Sequence, residues 1–309
     1  MKYLSVKQTA EKWKISPAMV RRYCVQGRIP NAFQGETGWK IPEKAKKPIG
    51  GKETAVIEAA NHPLVRKLVR QKKKKNFHGL YDYVQINLTY SSCRMASCRL
   101  TRKQVEMIFM KGKVAEMFEA VKVSDVIEVL NHCVCVDYIL DHISEAITVS
   151  FLRKLHLLLM KGTVDEAKLR VVAGELRTSQ SKRKEKFILP AGQAERTLKE
   201  LCEIYEKQKQ YNLEDILEFH VRFEKIFPFE DGNGRIGRLI AFKECLRHGV
   251  MPFILIDKYR SKYLDGLRKW AIDRSVLLQV VTEAQNRFAD QISLQDYMEQ
   301  EHRLNPLSD

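Results

Sequence analysis

The sequence has no uncharged run long enough to span a bilayer, and its first residues lack the apolar core of a secretory signal. We therefore expect a protein outside the membrane. Its cysteines number seven, an odd count for a disulfide framework, which predicts reduced thiols in a cytoplasm. The tightest cluster, His132, Cys133 and Cys135, has no second Cys/His pair at zinc-binding spacing, so buried small residues are the better interpretation.

Negative charge is also scarce. The 38 Asp and Glu face 54 Lys and Arg, which gives a net charge of +16. Such an excess suggests a polyanionic partner without identifying one. Residues 1–52 carry +9 of this charge, with twelve Lys or Arg against three Glu. A second basic cluster, "RQKKKKNF" at 70–77, is either a solvated run or an extension of a phosphate contact along DNA.

Glycine, proline and β-branched runs are sparse beyond residue 55, where apolar residues recur mostly at a spacing of three to four. Residues 126–139 and 152–159 illustrate the pattern. The spacing predicts a mainly α-helical domain. The exception is "GELRTSQSKRKEKFILP" at 174–190, which has no helical stripe and predicts a hairpin.

The basic N-terminal segment contains the signals of two short helices. Ser5 and Gln8 form a capping box that opens the first helix. Ser16 and Pro17 are an N-cap and a first-position proline for the second. Two short helices with a tight turn between them are the geometry of helix-turn-helix DNA readers. The following "NAFQGETGWKIP" has strand-like ends around two glycines, which predicts a β-hairpin wing.

The segment "LSVKQTAEKWKISPAMVRRYCVQGRIP", followed by "GWKIP", resembles the excisionase-like and MerR-like winged helix-turn-helix family. The resemblance implies that residues 1–47 bind double-stranded DNA, with the second helix in the major groove. The candidate contacts are Arg21 and Arg22 in the groove, and Arg28 and Lys40 on the phosphates. The alternative is a solvated basic face on a small protein-binding domain. The composition of "KKPIGGK" predicts that a linker follows, at 48–58.

The stretch "FEKIFPFEDGNGRIGRL" at 223–239 predicts an anion site. A helix that begins at Leu213 should stop before Pro228, which removes a backbone donor and disfavours helix at the preceding residue. Gly232 and Gly234 allow a sharp turn into a second helix over 236–248. A glycine loop that leads into a helix N-terminus presents unpaired N–H groups to an anion.

Three side chains strengthen this prediction. Arg235 and Arg238 are three residues apart, so they share a helix face and can both reach phosphate oxygens. Asp231 would repel a bare phosphate, but it can hold Mg²⁺ that bridges phosphates. The combination predicts a site for phosphate and metal.

The same stretch resembles the signature of the Fic family, H-P-F-x-[DE]-G-N-G-R-x-x-R, which it matches at every fixed position except the first. The resemblance extends over most of residues 60–290. It implies a Fic-type helical domain at 59–295 with a small β-hairpin flap, and a C-terminal tail at 296–309. Fic proteins are α-helical, and most transfer AMP from ATP to a hydroxyl group on a target protein.

The resemblance also implies roles for individual residues. Asp231 would hold Mg²⁺, bound together with ATP or another nucleotide. The residues implied to bind the nucleotide are Gly232, Asn233, Gly234, Arg235 and Arg238. A hairpin at 176–188 would dock the segment of the target protein.

The chain departs from the family at its leading histidine, the general base, because Phe227 stands at that position. A phenyl ring accepts no proton, so the general-base contribution, typically about 10²- to 10⁴-fold, is absent. His220 lies seven residues earlier, about 10.5 Å away along the helix. Glu224, one turn back, is the only nearer carboxylate of interest, and we expect its angle to be wrong for the phosphate face.

A second departure concerns self-restraint. Many Fic proteins carry a [ST]-x-x-x-E-[GN] helix whose glutamate pairs with the second arginine of the signature. The segment "SCRMASCRLT" aligns there through Ser92, but the position of the inhibitory glutamate is Ala96. A protein without catalysis needs no such restraint, so the two losses are mutually consistent.

Three functions remain open. The favoured one is a DNA-binding transcriptional regulator whose Fic-like body is a pseudoenzyme that senses a nucleotide, docks a protein or forms a homodimer. The second is an active nucleotidyl or phosphoryl transferase that works without the histidine. The third keeps the Fic fold only as a dimerisation scaffold. The intact Asp231–Arg238 loop argues against the third, and Phe227 argues against the second.

Overall fold

The computed structural model describes residues 3–25, 29, 32–35, 38–45, 47, 62–74, 78–114, 121–168, 171–178 and 189–304. The predicted linker at 48–58, most of the predicted flap at 176–188, and Arg28 lie outside the described residues. The chain divides into two compact units, Met1–Ala55 and Val56–Asp309.

The first unit combines two helices with a small antiparallel sheet. Its elements are β1 (Tyr3–Leu4), α1 (Val6–Trp13), α2 (Pro17–Val25), β2 (Phe33–Gly35) and β3 (Gly38–Pro42). The strand order is β1-β3-β2, with Tyr3 opposite Pro42 and Phe33 opposite Lys40. The helices and the hairpin lie in the order that the sequence predicts.

Local side-chain signals determine the ends of these two helices. The predicted capping box is formed, because the N–H of Gln8 donates to Ser5 Oγ at 3.3 Å and the N–H of Ser5 donates to Gln8 Oε1 at 2.9 Å. Lys14, in the left-handed conformation with φ 52°, ends α1. The N–H of Met19 donates to Ser16 Oγ at 3.3 Å, so Ser16 is the predicted cap of α2. The first unit has its own apolar core, which consists of Ala10, Val20, Tyr23, Cys24, Ile29 and Ile41.

The second unit is built from helices. They are α3 (Pro63–Lys74), α4 (Leu80–Met95), α5 (Arg102–Lys111), α6 (Val123–Asp141), α7 (Val149–Met160), α8 (Val164–Ala167), α9 (Ala191–Tyr205), α10 (Leu213–Ile226), α11 (Asn233–Arg247), α12 (Arg260–Lys269) and α13 (Ser275–Leu304). A short 3₁₀ helix, Asp257–Tyr259, precedes α12. Among the described residues, no helix is long and apolar enough to cross a membrane.

Helix α11 occupies the centre of this unit, and its side chains are buried on every face, from Arg235 to Leu246. It packs against α10, α6, α4 and α7. A helix that is surrounded in this way has no solvent face, so its charged residues need partners inside the protein. Lys243 and Glu244 illustrate this: Lys243 Nζ lies 2.8 Å from Glu244 Oε1 and both side chains are buried. The segment 227–232, which we call the signature loop, is therefore attached to a helix that is buried on every face.

Candidate functional site

The signature loop joins α10 to α11 through two left-handed residues. Helix α10 ends at Ile226, and Phe227 caps it with φ 51° and ψ 60°. Gly232, with φ 78°, is the N-cap of α11, which begins at Asn233, earlier than the sequence predicts. The positive φ favours glycine there, and a Cβ would also crowd Leu159 Cδ2, at 3.1 Å.

Two polar side chains hold the backbone of this loop. The amide of Asn233 accepts from the N–H of Phe229 at 3.0 Å and donates to its carbonyl at 2.8 Å. His156 Nδ1 accepts from the N–H of Gly174 at 2.9 Å, so its Nε2–H donates to the carbonyl of Asp231 at 3.2 Å. Burial lowers the pKa of His156 to about 4, which keeps the ring neutral. The Asn233 side chain thus shapes the loop in this structure and does not line its cavity.

Arg177 holds the end of α10 and the start of the loop through hydrogen bonds to backbone carbonyls. Its guanidinium donates to the carbonyl of Phe227 at 2.6 Å, to that of Ile226 at 3.3 Å and to that of Leu189. Its own N–H donates to the carbonyl of Pro228 at 2.9 Å. The last carbonyls of a helix have no partner within the helix, so a buried arginine satisfies them here.

The ring of Phe227 is 4% exposed and does not line the cavity beside the loop. Its carbonyl is held by Arg177. The side chain at the position where the resemblance places the family's general base is therefore buried.

A cavity of about 100 Å³, open to solvent, lies at the N-terminus of α11. The loop and the first turns of α11 contribute Asp231, Gly232, Gly234, Arg235 and Arg238, and the end of α4 contributes Met95 and Ala96. The far wall comes from α12, with Arg260, Tyr263, Leu264 and Leu267, and α10 adds Glu224. We call this space the signature cavity. Four of the five residues predicted to bind nucleotide line it, together with Asp231 and Ala96.

Arg235 is held by two carboxylates. Its Nη1 lies 2.6 Å from Glu128 Oε2 on α6, and its Nη2 lies 2.9 Å from Asp231 Oδ2. Its side chain is only 3% exposed. Burial raises the pKa of Glu128, while the charge of Arg235 opposes this effect. Glu128 and Asp231 raise the pKa of Arg235 although its burial lowers it, so the guanidinium remains charged.

Arg238 has neutral partners instead. Its Nε donates to Ser92 Oγ at 3.1 Å and its Nη2 donates to the carbonyl of Ser92 at 2.9 Å. No carboxylate among the described residues forms an ion pair with it within 4.0 Å, and it lines the signature cavity. The positive charge of Arg238 is therefore available to an anion, as is that of Arg260, which is exposed on the far wall and forms no ion pair among the described residues. Ser92 lies four residues before Ala96, which is the predicted position of the missing glutamate.

Asp231 fits the predicted magnesium role. Its side chain is 40% exposed and lines the signature cavity. The described residues include no cluster of three or more His, Cys, Asp or Glu that could hold a metal ion by itself. Mg²⁺ in phosphate-processing sites is usually held by one or two carboxylates, waters and the phosphates of the ligand, and a single half-exposed carboxylate suits that arrangement.

His220 and Glu224, the two titratable residues of α10 near Phe227, lie in different surroundings. His220 is fully buried, and its Nε2 lies 2.5 Å from Tyr263 Oη. Burial, with a contribution from Arg238, lowers the pKa of His220 to about 3. It is therefore a neutral core residue, and it does not line the signature cavity.

The expectation for Glu224 was wrong, because Glu224 lines the signature cavity. The reason is the glycine surface of α11 that it faces. A Cβ at Gly237 would lie 3.0 Å from Glu224 Oε1, and one at Gly234 would lie 3.6 Å from it. Since neither residue has a side chain, the carboxylate lies against the first turns of α11, beside the cavity.

The predicted DNA contacts lie in the first unit. Arg21 is exposed on α2, and Lys40 is half-buried in β3. The side chain of Arg22 lies outside the described residues, as Arg28 does.

Sequence reasoning missed Glu128, His156 and Arg177, and it named Ser92 without predicting its contact with Arg238. Three of these four residues are polar groups in apolar helices, and a buried polar group needs a partner. Glu128 follows an apolar run in "VSDVIEVLNH", and Arg177 closes "AGELR". Those signals show that each has a partner but do not identify it.

Comparison with known proteins agrees with this architecture. Residues 146–244 match the model of the Fic/DOC family, so this part of the chain is a Fic/DOC family domain. A probable protein adenylyltransferase of Aquifex aeolicus is 31% identical over 87 residues, which are 28% of this chain and 26% of the relative. The match thus spans about a quarter of the length of that relative.

Two solved structures share the fold. A Fic-domain-containing signalling protein from Bacteroides thetaiotaomicron aligns with a TM-score of 0.61 at 18% identity, over 80% of this chain and 94% of the other. A Fic family protein from Desulfovibrio desulfuricans aligns with a TM-score of 0.56 at 19% identity, over 78% and 74%. At such identities the likeness concerns the fold, which confirms the prediction of a mainly helical Fic-type domain.

Proposed function

We propose that this protein is a DNA-binding regulator whose Fic domain binds a nucleotide with Mg²⁺ but transfers little or no AMP. The observation that carries the proposal is the contrast at the signature loop. The signature cavity has the helix N-terminus, Asp231 and the available charge of Arg238. The residue at the general-base position, Phe227, is buried and has no lone pair.

Nucleotide binding does not need the missing base. Backbone N–H groups at a helix N-terminus and a guanidinium recognise phosphate through hydrogen bonds and charge, none of which Phe227 supplies. Loss of the base raises the barrier to transfer without weakening the binding of the ground state. A domain with this composition is therefore suited to sense a nucleotide.

Calorimetry of the full-length protein with ATP and Mg²⁺ tests this proposal. We expect saturable binding that weakens about 10- to 100-fold in Arg238→Ala, because a charge-assisted hydrogen bond is lost. The matched control is Arg196→Ala, which removes the same charge from an exposed side chain on α9. Absence of binding by the native protein would instead favour a dimerisation scaffold.

For the first unit we propose binding to double-stranded DNA through α2 and the β2–β3 hairpin. The proposal rests on the excess of basic residues and on the order of two short helices and a hairpin. Mobility shift with random-sequence duplex, followed by selection of preferred sites, measures it. The expected result is an affinity that Arg21→Ala lowers, with loss of site preference if Arg21 touches a base. Equal binding by a chain that lacks residues 1–52 would place any affinity elsewhere.

A second candidate, a working nucleotidyl or phosphoryl transferase, is favoured by the position of Glu224 and by the name of the Aquifex relative. In that reaction a target hydroxyl would attack the α-phosphorus of ATP, pyrophosphate would leave, and Glu224 would take the hydroxyl proton. The segment 176–188 would then dock the target protein, and a homodimer is part of either proposal. Transfer by the native protein that Glu224→Gln abolishes would establish this candidate.

A further inference from the structure

A second cavity lies on another face of α4 and shares no residue with the signature cavity. It has a volume of about 350 Å³ and lies between α4, the segment 254–256 and α13. The residues that form its walls include Tyr83, Tyr90, Ile254, Ile256, Arg287 and Phe288. We call it the α4–α13 cavity. Its size falls in the range of small-molecule pockets, about 300–1,000 Å³.

The charge at this cavity is positive. Arg102 and Arg287 line it, and no carboxylate is among the described residues that do. Arg102 donates to Asn87 Oδ1 at 2.9 Å and pairs with Glu106 at 3.0 Å. Within the described part of the chain, Arg287 has neither a hydrogen bond nor an ion pair. It is exposed, and it forms no ion pair within 4.0 Å with Glu283 or Asp290, the acidic residues one turn away on α13.

Tyr83, Arg102 and Arg287 line the cavity together. Burial raises the pKa of Tyr83, whereas the charges of Arg287 and Arg102 lower it. Both guanidinium groups are therefore near the same wall of the cavity. The carboxylate of Asp257 is the acidic group that faces the other tyrosine, accepting from Tyr90 Oη at 3.5 Å, and Arg94 lies 3.4 Å from it.

The remaining walls are aromatic or apolar. Phe288 is 1% exposed and forms the floor, with its ring centroid 6.3 Å from that of Tyr83. Tyr83 and Tyr90 are half-buried, so part of each ring faces the open space. Ile254 and Ile256 complete the apolar surface. Such walls favour a flat ring, because aromatic rings gain from offset or edge contacts as well as from burial.

We propose that the α4–α13 cavity binds a small aromatic anion, a planar ring that carries a phosphate or a carboxylate group. The ring lies among Tyr83, Tyr90 and Phe288, and the anionic group pairs with Arg287. A guanidinium offers two parallel N–H donors to either group, so phosphate and carboxylate share this chemistry. The site belongs to the helical unit and does not depend on the function of the signature loop.

The test uses the full-length protein and four probes in calorimetry: phenyl phosphate, benzoate, inorganic phosphate and phenol. Phenyl phosphate or benzoate should bind at least tenfold more tightly than inorganic phosphate or phenol. Arg287→Ala should weaken that binding about tenfold or more, whereas Arg287→Lys should restore part of it. Arg287 is exposed, so its replacement leaves the fold intact.

Two variants separate this site from other cationic groups. Arg196→Ala removes an exposed charge elsewhere, and Arg238→Ala disables the signature cavity. Neither should change the affinity for phenyl phosphate or benzoate by more than about twofold. Absence of binding by both aromatic anions would overturn the proposal. So would an equal affinity for inorganic phosphate, or equal weakening by Arg287→Ala and Arg196→Ala.

Discussion

Replacement of Arg235 by alanine and replacement of Arg238 by alanine should affect different properties of the protein. Arg235 is buried between Glu128 and Asp231, whereas Arg238 is held by the neutral Ser92 at the cavity. We predict that Arg235→Ala mainly lowers the free energy of unfolding. Arg238→Ala should mainly weaken nucleotide binding.

The magnitudes follow from what each replacement leaves behind. Arg235→Ala leaves the Glu128 carboxylate, whose side chain is 19% exposed, without its cation. Removal of one partner of a buried ion pair costs about 3–5 kcal/mol. Arg238→Ala breaks two hydrogen bonds to a neutral residue, which costs about 1–3 kcal/mol. In a domain of this size each kcal/mol corresponds to roughly 2–4 °C in Tm, so the first variant should melt at least several degrees lower.

Urea unfolding and thermal melting measure the stability, and calorimetry with ATP and Mg²⁺ measures the binding. A double variant, Arg235→Ala with Glu128→Ala, should recover at least about 1 kcal/mol, because the unpaired carboxylate is gone. The prediction fails if Arg235→Ala is as stable as the native protein. It also fails if Arg238→Ala binds nucleotide as tightly as the native protein.

The remaining predictions concern acid stability, restraint and DNA binding. Burial lowers the pKa of His132 to about 3, that of His156 to about 4 and that of His220 to about 3. The unfolded chain takes up protons below about pH 6.5 and the folded chain does not, so stability falls as pH drops through 6.5 toward the folded pKa values. The low pKa of each histidine should reduce the free energy of unfolding by about 2 kcal/mol between pH 7 and pH 5. Urea midpoints that do not change over this range would contradict this prediction. In a Phe227→His background, Ala96→Glu should lower AMP transfer measured with labelled ATP, because the glutamate would pair with Arg238; unchanged transfer would refute that role. Lys40→Ala should reduce the slope of log affinity for duplex DNA against log salt by about one, and an unchanged slope in a salt titration would exclude a phosphate contact by Lys40.

Local signals in the sequence predicted much of the fold. The capping box at Ser5, the proline after Phe227 and the glycine at 232 act within a few residues of themselves, so their consequences can be read directly. Helical spacing beyond residue 55 likewise predicted a mainly helical domain, which the structure confirms.

The partners of the buried charges could not be predicted, because they come from distant elements. Glu128 is 107 residues from Arg235, and Ser92 is 146 residues from Arg238. From spacing alone the two arginines looked equivalent. The packing of α11 between α6 and α4 separates them, giving one to a carboxylate and leaving the charge of the other at the cavity. The wrong expectation for the direction of Glu224 has the same origin. The two glycines that it packs against, Gly234 and Gly237, belong to another helix.

Transfer of label from ATP is the most direct test of the central claim. Native and Phe227→His proteins are incubated with α-labelled ATP and Mg²⁺, and label is scored on the protein itself and on proteins of a cell lysate. Histidine suits the left-handed backbone at residue 227, since it is among the residues enriched at positive φ. We predict little or no transfer by the native protein and more by Phe227→His. Robust transfer by the native protein would contradict a Fic domain that binds nucleotide without catalysis.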